Sequence, residues 1–187
     1  ASNQVNRIRY LKAQRTLIVG TTGGEFTVSA DGTDAAITPS NIVIKKQSSY
    51  GTANVDAIAA GNAVLFLQKA KRKIRELSYN FDTDGYVAPD LTILNDIVTK
   101  SGITEMSYQQ EPDSILWCVR DDGILAGLTY QRSENVIAWH RHKLGGTFGA
   151  GASATGYGVV ESAASISGTL TEDEFYVIVK RTINGAT

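Results

Sequence analysis

His140 and His142 are the residues of this chain best spaced for chemistry. They flank Arg141, and alternate side chains of a strand share a face, so both imidazoles should point the same way. His-x-His on a strand can supply two ligands of a zinc site. No third ligand stands out, because Cys118 lies in the apolar run Ile115 to Val119 and reads as a buried core thiol. The pair is therefore expected to hydrogen-bond across a sheet. Asp82-Thr83-Asp84-Gly85 opens like a calcium loop, but Ile93 stands where the closing glutamate belongs, so a plain Asx-rich turn is expected. Cys118 has no plausible His and Asn partners in context, and the chain contains neither G-x-S-x-G nor a phosphate-binding glycine motif. No catalytic residue, metal or cofactor is expected.

One basic cluster stands out: Lys69, Lys71, Arg72, Lys73 and Arg75. It falls at the tip of an expected hairpin with little aromatic content, which favours a solvated turn. The rival reading is a weak contact with a DNA backbone or an acidic partner. The net charge of −1 argues against a dedicated nucleic-acid binder, which would carry a basic excess. No apolar run approaches the roughly 20 residues that cross a bilayer. The first residues, Ala1-Ser2-Asn3-Gln4, do not open like a signal peptide. A single cysteine precludes an internal disulfide framework and fits a reducing cytoplasm.

The elements that must position these residues are strands. Arg15 to Gly20 leads through Thr22-Gly23-Gly24 into Glu25 to Ser29; Asn62 to Gln68 leads through Lys69 to Lys73 into Ile74 to Tyr79. Ile103 to Gln109, Ser114 to Val119, Ile124 to Gln131 and Val136 to His142 read as a four-stranded meander, with Gly123 taking a positive φ in the Asp121-Asp122-Gly123 turn. Glu174 to Val179 approaches a last turn at Thr182 to Gly185. The first strand of each unit is nearly continuous in apolar residues, as in strands buried on both faces. Phe66, Leu116, Trp117 and Val119 are thus expected in the core. Turns recur at roughly 50 to 60 residues, a spacing within the range of propeller blades and similar repeats. Any antiparallel all-β chain turns at similar intervals, and an irregular β-sandwich or barrel is the alternative.

One short helix is expected in an insertion at about 88–101. Asp90 would cap Leu91 to Thr99, with Leu91, Leu94, Ile97 and Val98 on one stripe and Gly102 past the end. Gly145 to Gly158 should be a loop or a weakly packed strand pair. Asn184-Gly185 is a strong hairpin signal with only two residues after it, so the chain is expected to be a fragment of a longer one. The expectation is a mainly β fold: one antiparallel, β-propeller-like module over 1–187, built of hairpins and meanders, from a larger propeller.

The run Gln110 to Leu125, continued by Leu128-Thr-Tyr-Gln-Arg132 and Ala138-Trp-His-Arg-His142, resembles the central pattern of tailed-phage tail nozzle proteins of the tail tubular protein B type and related prophage structural proteins. Arg15 to Glu25, Gln47 to Gly51, Val64 to Gln68 and Asp90-Leu-Thr92 are similar to that pattern in the same order. The resemblance implies a non-catalytic virion structural protein with a propeller-like body. It would be made in the bacterial host cytoplasm and assembled as a homo-oligomeric ring around the DNA exit channel. Its partners would be portal-adaptor proteins and fibres, and DNA would pass without tight binding. Two other readings are a carbohydrate- or receptor-binding β-propeller module and a propeller glycosidase. The glycosidase would need a facing carboxyl pair about 5 to 10 Å apart, which the sequence does not place.

Overall fold

The computed structural model describes residues 6–32, 35–168 and 171–184. Strand takes 52% of the chain and helix 3%, in four antiparallel sheets of hairpins. The chain divides into two compact units, Ala1–Thr92 and Ile93–Thr187.

The first unit holds two four-stranded sheets, each in simple chain order. β1 (Ile8–Ala13), β2 (Leu17–Thr21), β3 (Gly24–Ala30) and β4 (Ile42–Ser48) form one; β5 (Ile58–Ala60), β6 (Ala63–Leu67), β7 (Ile74–Asn80) and β8 (Gly85–Val87) form the other. All five β6 residues are buried, and four of the five in β2, as their apolar runs require. The sheets share a core of Tyr10, Ile18, Ala57, Val64, Phe66 and Leu77.

The second unit opens with the expected meander: β9 (Ile103–Gln109), β10 (Ile115–Arg120), β11 (Leu125–Gln131) and β12 (Val136–His142). Its register pairs Trp117 with Ser107 on one side and Gly127 on the other. Gly123 takes φ 76° in the β10–β11 turn, and its N–H donates to the Arg120 carbonyl at 2.9 Å. A two-stranded sheet, β13 (Val159–Ile166) and β14 (Glu174–Lys180), packs on this meander through Val119, Leu125, Val160 and Ala163.

The structure departs from three expectations. Leu91 to Thr99 forms successive turns instead of a helix. The sheet captures the start of this segment: the Leu91 N–H donates to the Ile74 carbonyl at 2.9 Å, and the Glu76 N–H donates to the Pro89 carbonyl at 3.2 Å. The Asp90 carboxylate accepts from the Thr92 N–H at 2.9 Å, an Asx turn in place of a helix cap. Leu91 and Val98 are buried, whereas Leu94 is 96% exposed, so the four do not form one stripe. Second, β14 is paired with β13 and its residues are largely exposed, where its apolar run led to the expectation of a buried strand. Gly185, half of the expected final turn, lies outside the described residues. Third, Trp117 is half-buried at the rim of the core, while Phe66, Leu116 and Val119 are buried as expected. Gly145 to Gly158 is a loop with one short 3₁₀ turn, Gly151–Ser153.

Candidate functional site

The basic hairpin between β6 and β7 is shaped by its own backbone. The Gln68 N–H donates to the Lys73 carbonyl and the Lys71 N–H to the Gln68 carbonyl, each at 2.8 Å, with Lys71 left-handed at φ 61°. These bonds turn Lys69, Lys71 and Arg72 out into solvent. The other two cations are already engaged. Lys73 Nζ lies 2.9 Å from Asp90 Oδ2. Burial pushes the Asp90 carboxyl up, but hydrogen bonds from Thr92 and Lys73 outweigh it and hold the pKa below the usual value.

Arg75 is buried. Its Nε donates to Gln68 Oε1 at 2.8 Å, its Nη1 donates to the Ala88 carbonyl at 2.7 Å, and its guanidinium lies 3.4 Å from the Tyr50 ring centroid. The five-residue cluster is therefore two things. Arg75 and Lys73 brace the hairpin, and Lys69, Lys71 and Arg72 form an open cationic tip.

In the second unit, His140 and His142 do share a face of β12. His140 Nδ1 and His142 Nε2 are 2.6 Å apart, and His140 Nε2 lies 3.5 Å from the Thr129 hydroxyl. Trp117 packs edge-on against both imidazoles and stacks on Phe175 at 4.6 Å; its indole N–H donates to Gln109 Oε1 at 2.9 Å. Burial, then the neighbouring His142, holds the His140 pKa below the ordinary imidazole value. A hydrogen bond between two imidazoles needs one donor and one acceptor, so it requires at least one neutral ring. One face of Trp117, the surface a sugar ring would stack on, is covered by Phe175.

Among the described residues no group of three or more His, Cys, Asp or Glu is placed to hold a metal ion. Asp82 and Asp84 belong to a turn in which Asn80 Oδ1 accepts from the Asp82 N–H at 2.8 Å and the Thr83 N–H at 3.2 Å, and the Asp84 carboxylate accepts from the Tyr79 hydroxyl. Cys118 is buried, and desolvation pushes its thiol pKa far up, so it is not a thiolate nucleophile near neutral pH. In the acidic run before β14, Asp173 Oδ2 accepts from the N–H groups of Gln110, at 2.7 Å, and Glu111, at 3.2 Å, which ties that turn together.

A buried polar group in the first unit escaped sequence reasoning. Glu25, fully buried on β3, accepts from the Thr52 hydroxyl at 3.0 Å and from the Ser48 hydroxyl. Burial, then the Glu25 carboxylate, raises the pKa of the buried Tyr10 hydroxyl and keeps it neutral. Glu25 meets partners 23 and 27 residues away, so no local pattern announces it. No protein-family model and no curated protein matches this chain.

Proposed function

We propose that this chain is a non-catalytic structural module of a tailed-phage or prophage tail, of the nozzle type that forms a ring around the DNA exit channel. The observation that carries this reading is the run of three up-and-down, four-stranded sheets, β1–β4, β5–β8 and β9–β12, in chain order. Such sheets are the unit from which propeller blades are made. The sequence resemblance over the meander and its flanking hairpins points the same way.

Charge supports assembly by unlike surfaces. The first unit carries eleven Lys and Arg against eight Asp and Glu, and the second seven against eleven. A basic unit in one copy meeting an acidic unit in the next makes a heterologous contact, the kind that builds a ring when its rotation closes. Three exposed cations at the β6–β7 tip suit a surface that DNA slides past, since few neutralised phosphates mean weak, salt-sensitive binding.

Immunogold labelling of phage particles from the strain that encodes the chain tests this. Label at the DNA-exit end of the tail is expected, and purified particles without label would refute the reading. In a duplex DNA titration at about 150 mM salt, binding no tighter than roughly 10⁻⁴ M is expected. A sub-micromolar complex abolished by Lys69→Glu, Lys71→Glu and Arg72→Glu together would replace the passive channel with a DNA grip.

A further inference from the structure

We propose that His140 and His142 together form an exchangeable site for a divalent late first-row transition ion, with Cu²⁺ the tightest-bound of the series. His140 Nδ1 and His142 Nε2 lie 2.6 Å apart, so the two nitrogens share one proton. A metal ion takes that proton's place when the donor ring moves the proton to its other nitrogen, leaving both lone pairs aimed at the ion. For His140 the other nitrogen is Nε2, and the Thr129 hydroxyl oxygen lies 3.5 Å from it. Ligating histidines commonly hold their remaining N–H on such an oxygen, which fixes the tautomer. Two imidazoles without a carboxylate suit copper, nickel or zinc, whereas magnesium and calcium take oxygen ligands.

Three strands build the pair. β12 puts the two rings on one face, two residues apart. Gly127 of β11 stands opposite His140 and leaves the space in which that ring lies, its Cε1 2.1 Å from where a Cβ would be. Trp117 of β10 meets both imidazoles edge-on, with ring centroids 5.6 Å and 5.2 Å away, and walls them in on one side. The indole is itself fixed by its bond to Gln109 and its stack on Phe175. Two nitrogens bound to one ion at about 2.1 Å each stand about 3 Å apart. The pair therefore has to open by only a few tenths of an ångström, and His142 is exposed and able to give.

Among the described residues no third His, Cys, Asp or Glu joins the two rings. Water completes the coordination, so the ion exchanges with solvent and the fold does not depend on it. A structural zinc site, by contrast, is closed by four protein ligands. The site stands independently of the nozzle reading, which assigns no role to these histidines.

These two are the only histidines in the chain, so imidazole proton signals in NMR report this pair alone. At about pH 7.5, where free imidazoles are mostly neutral, substoichiometric Cu²⁺ should broaden the signals of both rings together. Zn²⁺ should shift both along one saturation curve. In calorimetric titrations with Cu²⁺, His140→Gln and His142→Gln should each weaken binding at least about tenfold, with circular dichroism confirming that each variant is folded. The NMR measurement uses the parent chain, so it stands even where a variant does not fold. Both histidine signals unmoved by Cu²⁺ and Zn²⁺ would overturn the proposal, whatever the ions bind elsewhere. So would a response confined to one ring, or a folded single variant that binds Cu²⁺ as tightly as the parent.

Discussion

The ring of Tyr10 lies across the sheet from Gly20, with its Cε1 only 2.0 Å from where a glycine-to-alanine change would put a Cβ. His140 stands to Gly127 in the same way, its Cε1 2.1 Å from the equivalent point. Each glycine makes room for the ring opposite it, an arrangement that fixes cross-strand register by shape. The consequences differ because the rings differ in freedom. Tyr10 is 3% exposed inside a core, whereas His140 is half-buried near the surface. Gly20→Ala should cost about 3 kcal/mol and Gly127→Ala about 1 kcal/mol, the upper and lower ends of the overpacking range. Urea unfolding of the two variants checks the order, and equal costs would mean that Tyr10 can move aside.

The basic cluster should divide the same way in stability measurements. Arg75→Ala removes two hydrogen bonds and the stack on Tyr50 and leaves the half-buried Ala88 carbonyl short of a donor. A loss of about 2 to 4 kcal/mol is expected. Lys71→Ala and Arg72→Ala change exposed side chains and should stay within about 0.5 kcal/mol of the parent. Thermal melts of the three variants would show this split.

Trp117→Ala should cost about 2 to 3 kcal/mol, below the roughly 3 to 5 kcal/mol of a fully buried aromatic, because one part of the indole already meets solvent. Phe175→Ala removes the stacked partner. The double variant should cost less than the sum of the singles, since each single change already loses the shared stack. A double-mutant cycle with strictly additive losses would mean that the stack contributes nothing.

The imidazole pair makes stability depend on pH with a definite sign. His140 has a pKa lowered by the fold, so the unfolded chain takes up its proton first as pH falls. Its contribution is complete above the unfolded value of about 6.5 and is lost as pH drops below it towards the folded pKa. Protonating both rings also abolishes the His140–His142 hydrogen bond. Unfolding free energies between about pH 7.5 and 5 should fall with acid, and His140→Gln should flatten that slope. An unchanged slope in the variant would assign the effect elsewhere.

Glu25→Ala should cost about 2 to 4 kcal/mol, because it leaves the Thr52 and Ser48 hydroxyls without their acceptor in a buried site. Glu25→Ala combined with Thr52→Val should recover part of this loss, since removing both polar partners is cheaper than stranding one. Chemical denaturation of the single and double variants reads the difference.

Local chemistry determined the strands. Thr22-Gly23-Gly24 and Asp121-Asp122-Gly123 turn the chain because glycine reaches backbone angles that other residues avoid, and the apolar runs beside them become buried strands. The meander from Ile103 to His142 and the shared face of His140 and His142 were legible for the same reason: strand periodicity is a property of neighbours in sequence. Only the tertiary structure decided what depended on distant partners. The backbone of β7 captured Pro89 to Leu91 and turned a helical pattern into turns. Asp90 and Tyr50 took Lys73 and Arg75 out of an apparently uniform basic run. β13, whose sequence announced no strand, became the partner of β14. Glu25 found its hydroxyl partners across more than twenty residues. A hydrogen bond or an ion pair is settled by which groups the fold brings within about 3 Å, and sequence separation carries almost no information about that.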